Sequence, residues 1–273
     1  MGIRRATCGL LDRTLRQRLA PFACDDWTAS AVIIAPHPDD ETLGCGGVAR
    51  KKIAAGAEVR FVFVTDGAAS HVGQVGAEAL RRMRAEEALD AAACLGASED
   101  QVAFLDVPDG RAADNVPEIA SRISALLQAW RPQSVYVVHA GDPPPDHRAA
   151  HLGVSAAIRS YGRRLSVFEY PVWFWYHWPW VDFGGDLPGM WRKNAVQTVR
   201  TAAGLRSLGR LNAIADVSDV SEVKRRALAA HRSQTERPAD RPDWPILGDL
   251  GGGDFLARLM SDYEPFMRYE ANV

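Results

Sequence analysis

Within six residues, Pro36-His37-Pro38-Asp39-Asp40-Glu41, one imidazole and three carboxylates follow directly on an apolar run. Carboxylates crowded this closely repel one another, and a bound cation is the simplest group that offsets the repulsion. A His and an Asp three positions apart around a tight turn can take two sites of one tetrahedral metal, and the prolines flanking His37 stiffen that turn. The third ligand has to come from elsewhere in the chain. The segment Asp142-Pro143-Pro144-Pro145-Asp146-His147 offers one, with His151 one helical turn later on the same face as His147. Two His and one Asp, with the fourth position open to water, make a catalytic rather than a structural zinc site. The carboxylate left over has an evident role as general base toward a water whose pKa the metal lowers towards ~7. Spacing alone does not divide these roles between Asp39 and Asp40.

Such residues need a scaffold that brings distant loops together. Ser30 to Ala35 reads as a buried strand, Gly44 to Ala55 as a helix, Val59 to Thr65 as a second strand and Ala77 to Leu95 as a helix stopped at Gly96. The alternation continues with a strand at Val102 to Leu105, a helix at Val116 to Trp130, a strand at Val135 to Val138, a helix from about His147 to Tyr161 and a strand at Val167 to Tyr170. Repeated βαβ units predict an α/β fold, a Rossmann-like three-layer sandwich with a mostly parallel sheet. Later residues predict two strands, near Ala195 to Arg200 and Leu211 to Val217, then a helix near Val220 to His231 and a tail rich in Pro and Gly. The expected organisation is one domain over residues 1–273, with a catalytic core at about 28–170 and a small C-terminal elaboration for substrate specificity at about 171–273. In open α/β sheets ligands bind outside the carboxyl ends of the strands. That rule selects Pro36 to Glu41, Asp66-Gly67, Asp106 to Gly110 and His139 to His147, of which the third loop holds nothing the expected chemistry uses.

Composition excludes several classes. An apolar fraction of 47% suits a soluble globular chain, and a formal net charge of −2 offers nothing for nucleic acid. The four cysteines stand singly, which predicts neither a disulfide framework nor a Cys-based zinc site and points to a reducing, cytoplasmic setting. No stretch approaches a transmembrane span. The arginine-rich opening from Arg4 to Leu19 predicts a peripheral helix, with a membrane surface or a partner as the other uses of such a face. Neither a Gly-x-Ser-x-Gly elbow nor a Walker loop occurs, so the commonest serine-hydrolase and nucleotidase designs are excluded.

The run Ala35-Pro36-His37-Pro38-Asp39-Asp40-Glu41, followed by Leu43-Gly44-Cys45-Gly46-Gly47, resembles the signature of the LmbE-like or PIG-L metal-dependent N-deacetylases. Thr65-Asp66-Gly67 is similar to the segment after that family's second strand, and Arg84, Glu87, Ala91, Leu95 and Gly96 fit its following helix. Pro145-Asp146-His147-Arg148 resembles the second metal motif. The resemblance spans roughly Val32 to Tyr170. It implies that His37, Asp40 and His147 bind zinc, with iron(II) as the other metal, that Asp39 is the general base, and that Arg84 contacts a polar group of the substrate. The implied substrate is an N-acetylated amino sugar or glycoconjugate, and a homo-oligomer is compatible with it. One position departs: Pro144 stands where the family commonly has a His that stabilises the oxyanion or protonates the leaving amine. His139 and His151 are the candidates to supply that role.

The remaining features have plainer readings. His71, His177 and His231 are expected to be ordinary core or surface residues. Trp173 to Trp180 holds four of the eight tryptophans, which suits a substrate wall, an oligomer or membrane patch, or core packing. Gly44-x-Gly46-Gly47 only superficially resembles a phosphate loop. Two other functions are compatible with the scaffold: a metal-binding accessory protein, motivated by Pro144, and a dinucleotide-binding oxidoreductase, which the βαβ pattern alone permits.

Overall fold

Four of the five apolar runs become strands buried along almost their whole length, because helices cover the sheet, and the run at Val102 gives a half-buried strand at the sheet edge. The computed structural model describes residues 2–71, 73–183 and 190–271. In chain order its elements are α1 (Gly2–Arg18), β1 (Ala20–Pro21), α2 (Cys24–Thr28), β2 (Ala31–Ala35), α3 (Asp40–Ala54), β3 (Val59–Thr65), α4 (Ala77–Leu95), β4 (Val102–Val107), α5 (Val116–Trp130), β5 (Ser134–Val138), α6 (Pro145–Arg159) and β6 (Leu165–Tyr170). There follow α7 (Met190–Arg200), α8 (Leu205–Arg210), β7 (Ala213–Asp216), α9 (Ser221–Ala230), α10 (Arg232–Thr235), α11 (Asp254–Leu259) and β8 (Tyr263–Ala271). The eight strands form one mixed sheet in the order β1-β7-β8-β6-β5-β2-β3-β4. Strand β8 runs antiparallel to both β6 and β7, and the other pairs are parallel. The Pro- and Gly-rich tail therefore ends in a nine-residue strand that the sequence did not announce.

From β2 the chain winds outward through β3 to β4, then returns to β5 on the other side of β2 and continues to β6. Right-handed crossovers put α3 and α4 on one face and α5 and α6 on the other, and α5 packs on α6 while α9 covers α3 and α4. The winding reverses between β2 and β5, whose paired carboxyl ends leave an open crevice there. The two loops richest in chemistry, after β2 and after β5, emerge side at that reversal.

Two boundaries differ usefully from the sequence reading. Helix α3 starts at Asp40 rather than Gly44, and α6 at Pro145 rather than His147. Asp40, Glu41 and His147 thus sit in first helical turns, fixed by backbone geometry; Pro145, lacking an N–H, fits the first turn of α6 without loss. The stretch Ala195 to Arg200, expected as a strand, is helical within α7. Its β-branched residues favour a strand locally, but the Thr198 hydroxyl donates to Asn194 O at 2.8 Å and the Thr201 hydroxyl to Gln197 O at 2.8 Å, so both threonines bond back to the preceding turn.

The glycines of α3 serve packing and do not form a phosphate loop. A Cβ on Gly44 would lie 2.1 Å from Tyr170 Cδ2, and one on Gly47 2.6 Å from Val217 Cβ. Tyr170 in turn donates its hydroxyl to Ile34 O at 2.8 Å, so this contact seats α3 on β2 and β6. Gly44→Ala is expected to destabilise the fold by about 1–3 kcal/mol through overpacking. A lower urea midpoint at unchanged slope would show it; an unchanged midpoint would mean that α3 shifts freely.

Candidate metal and catalytic centre

Three atoms from the two loops meet at the crevice. His37 Nδ1 and Asp40 Oδ2 are 3.2 Å apart, His147 Nε2 and Asp40 Oδ2 3.3 Å, and His147 Nε2 and His37 Nδ1 3.3 Å. A tetrahedral zinc with bonds of about 2.0–2.1 Å separates its ligand atoms by roughly 3.3–3.4 Å. The triangle has that size without rearrangement, and the residue types suit a divalent cation. Both ring orientations are held from behind. Asp142 Oδ2 lies 2.9 Å from His147 Nδ1, and Asp109 Oδ1 lies 3.2 Å from His37 Nε2. With a metal bound, each carboxylate would take the outer N–H and leave the inward nitrogen free to ligate.

Asp142 is itself anchored. Its two oxygens also accept from the backbone N–H groups of Val172, Trp173 and Phe174, at 3.3, 2.9 and 2.8 Å. Asp142→Ala is expected to weaken metal affinity about 10- to 100-fold. Metal retention against a graded chelator measures this, and wild-type retention would remove Asp142 from the site.

Asp39 stands apart from the triangle. Its φ of 132° lies where L-residues are strained, at a cost of about 1–3 kcal/mol that the surroundings have to carry. They do so through Glu41, whose Oε2 accepts Asp39 N–H at 2.9 Å, and through α3, where Leu43 N–H donates to Asp39 O at 2.9 Å. Glu41 is completely buried and bonds His231 Nε2 at 2.8 Å through its other oxygen. Burial pushes the Asp39 carboxyl up, Arg84 opposes this and Asp40 adds to it, with a result of about 6. Asp40 moves the opposite way: burial raises it, but His147 and His37 hold it well below the carboxylate range. The same pairing lifts His147 to about 9 despite its burial.

The expected residues fall into two groups. His37, Asp39, Asp40 and His147 come together. Arg84 is buried at the back of the loop, where Nη2 donates to Asp39 Oδ2 at 3.1 Å and to Pro38 O, and Nη1 to Gly67 O at 3.2 Å. That placement orients Asp39. His139 and His151 share a different partner, Glu169: His139 Nδ1 is 2.7 Å from its Oε2 and His151 Nε2 is 3.8 Å from its Oε1. Among the described residues neither His bonds to the triangle.

The third loop does contribute, contrary to the sequence reading. Asp109 follows β4, and Asp66 positions it by accepting its N–H at 3.0 Å. Asp146 also faces His37 Nε2, at 3.5 Å, and accepts Ala112 N–H at 3.1 Å. The position of Asp109 just after a strand was the one signal the sequence offered for it. Glu169, a lone charge in a buried strand, was a usable signal. His231 gave none: it arrives from α9 some 190 residues after Glu41.

The tryptophan-rich segment is mostly core. Phe174, Trp175, Tyr176 and Trp180 are buried. Trp173 and Tyr176 also wall a cavity of about 550 Å³ between Pro143–Pro145 and α7. Helix α1 docks on the same region: Arg4 Nη2 is 2.9 Å from Asp254 Oδ2, and Leu11 and Leu15 are buried. No helix among the described residues is long and apolar enough to cross a membrane.

The model of the PIG-L family, GlcNAc-PI de-N-acetylase, matches residues 32–158, the stretch that carries both loops of the candidate centre. Diacetylchitobiose deacetylase of Thermococcus kodakarensis is 30% identical over 210 residues, covering 74% of this chain and 68% of that protein. The chain belongs to the PIG-L family of LmbE-like deacetylases. A second PIG-L relative, 1D-myo-inositol 2-acetamido-2-deoxy-alpha-D-glucopyranoside deacetylase of Mycobacterium sp. (strain KMS), is 28% identical over 240 residues, covering 74% of this chain and 73% of its own. The fold also matches N,N'-diacetylchitobiose deacetylase from Pyrococcus horikoshii with a TM-score of 0.61 at 19% identity, over 98% of this chain and 93% of that one. The family match ends within α6, so α7, α8 and the strands that follow lie outside the family model.

Proposed function

We propose that this PIG-L chain is a zinc hydrolase that removes an N-acyl group, acetyl first of all, from an amino sugar or glycoconjugate, releasing a free amine and a carboxylate. His37, Asp40 and His147 would hold the metal, with iron(II) as the alternative ion for this donor set. When bound, the metal supplies Lewis acidity toward the amide carbonyl and lowers the pKa of water. The remaining work falls to the chain's own groups. Asp39 takes the proton of the attacking water and returns it to the departing amine. Arg84 and Glu41 fix Asp39, and Asp142 and Asp109 fix the two imidazoles. The reading takes the chain as one domain, with residues 28–170 as catalytic core and 171–273 as the part that selects the substrate, working in the cytoplasm.

The observation that carries this reading is the triangle of 3.2–3.3 Å edges with a strained, base-like carboxylate beside it. Pro144, which offers no side-chain donor at the crevice, favours a second reading, an accessory protein that binds metal without turnover. Metal analysis paired with free-amine release across N-acetylated mono- and disaccharides and glycoconjugates separates the two. Stoichiometric metal with amine release is the expected result; stoichiometric metal with no release on any member would favour the accessory protein.

A further inference from the structure

Behind the metal loop lies a smaller cavity of about 240 Å³, lined by Arg148 of α6, Arg200 of α7 and Arg206 and Arg210 of α8, with Gly141 and Asp142 among its other walls. Exposed arginines ordinarily form a solvated face with carboxylates interspersed. Here the carboxylates are missing. From Met190 to Leu211 the chain carries five basic residues and no Asp or Glu, and among the described residues none of the four arginines lies within ion-pair distance of an acid. The one carboxylate in the wall, Asp142, is already spent on three backbone N–H groups and His147.

A second observation points to a ligand. His139 is buried, its Nδ1 is engaged by Glu169, and its Nε2 has no partner. A buried polar atom left unpaired costs about 1–3 kcal/mol, so its partner is normally found. A Cβ on Gly141 would lie 3.0 Å from His139 Nε2 and 3.5 Å from Arg210 Nη1, so both nitrogens border the space over Gly141. The absence of a side chain at residue 141 is what leaves that space open.

We propose that this cavity is an oxyanion subsite that takes a phosphate group, and that the phosphate belongs to the substrate. Planar guanidinium groups lining one small cavity are suited to phosphate oxygens. Asp142 forms the wall between the cavity and His147, and the cavity shares Pro143, Gln197 and Arg200 with the larger one beside the metal loop. A phosphorylated amino sugar could therefore place its amide and its phosphate in adjoining spaces. The substrate half of the proposal rests on the deacetylase reading; the anion site does not.

The test has two arms on the full-length, zinc-loaded chain. In the first, inorganic phosphate is titrated calorimetrically into wild type, R210M and G141A; the last removes no charge and only fills the space. One site is expected, weakened at least tenfold in both variants. No binding, or binding that survives both variants and disappears in H147A because the metal holds the phosphate, overturns the site. In the second arm, kcat/KM is compared for N-acetylglucosamine 1-phosphate and N-acetylglucosamine. The ratio is expected to be at least ten in wild type and to approach one in R210M. A ratio near one in wild type overturns the assignment to the substrate. Phosphate binding that both variants lose, without release of amine from either sugar, would instead count against the deacetylase reading and leave the anion site standing.

Discussion

Asp39→Asn is expected to keep one metal ion per chain and to lose activity by a factor of about 10²–10⁴, the usual contribution of a positioned general base. Asn preserves the shape of the side chain, tolerates the positive φ better than most residues and leaves a carbonyl oxygen for Arg84, so a loss cannot be put down to a collapsed turn. Asp39 is not one of the three clustered candidate ligands, which is why metal content is expected to hold. The wild-type enzyme should show a matching pH signature. Burial brings the carboxyl to about 6 in the metal-free chain, and a neighbouring cation favours the ionised form, so the acid limb of kcat/KM should lie at or below about 6 and fall tenfold per pH unit below it. Activity in the variant within threefold of wild type would remove Asp39 from the chemistry.

His147→Ala, in contrast, is expected to lose the metal and, with it, essentially all turnover. The pH dependence of uptake gives an independent check. In the metal-free chain Asp40 and Asp142 hold His147 protonated up to about pH 9, against its burial, and the carboxylates around His37 raise that ring also. A metal can bind only the deprotonated nitrogens, so ligation has to expel protons below those pKa values. Apparent affinity should therefore rise as pH rises, about tenfold per unit for each proton displaced, and level off above about 9. Competition with a chelator of known pH behaviour at pH 6, 7 and 8 measures the slope. A slope of zero would mean that the imidazoles are not the ligands. Metal bound with wild-type affinity by His147→Ala would displace the site to the second acid cluster, His37 with Asp109 and Asp146.

The family membership narrows the reaction class, and the family match ends before α7 and α8. Helices α7 and α8 supply three of the four arginines of the rear cavity and one wall of the larger cavity. Their sequence has no motif, and the part of it expected as a strand is helical.

Much of the centre was legible before any coordinates. Buried strands announce themselves by continuous apolar runs, and charged residues directly after such a run are costly unless something binds them; Pro36 to Glu41 and Asp142 to His147 stand out on those grounds. Periodicity was sufficient for the parallel core, because its strands and helices form locally. What the chain order could not convey was which ends face each other. The reversal of winding between β2 and β5 brings His37 within 3.3 Å of His147, and the side chains that support the centre, Asp109, Arg84 and His231, come from elements far apart in sequence. Those pairings are set by sheet order and helix packing, which depend on the whole core at once. The candidate ligands were thus marked by local sequence, while the carboxylates that orient the imidazoles, the strained pose of Asp39 and the arginine-lined cavity behind them were decided only by the tertiary structure.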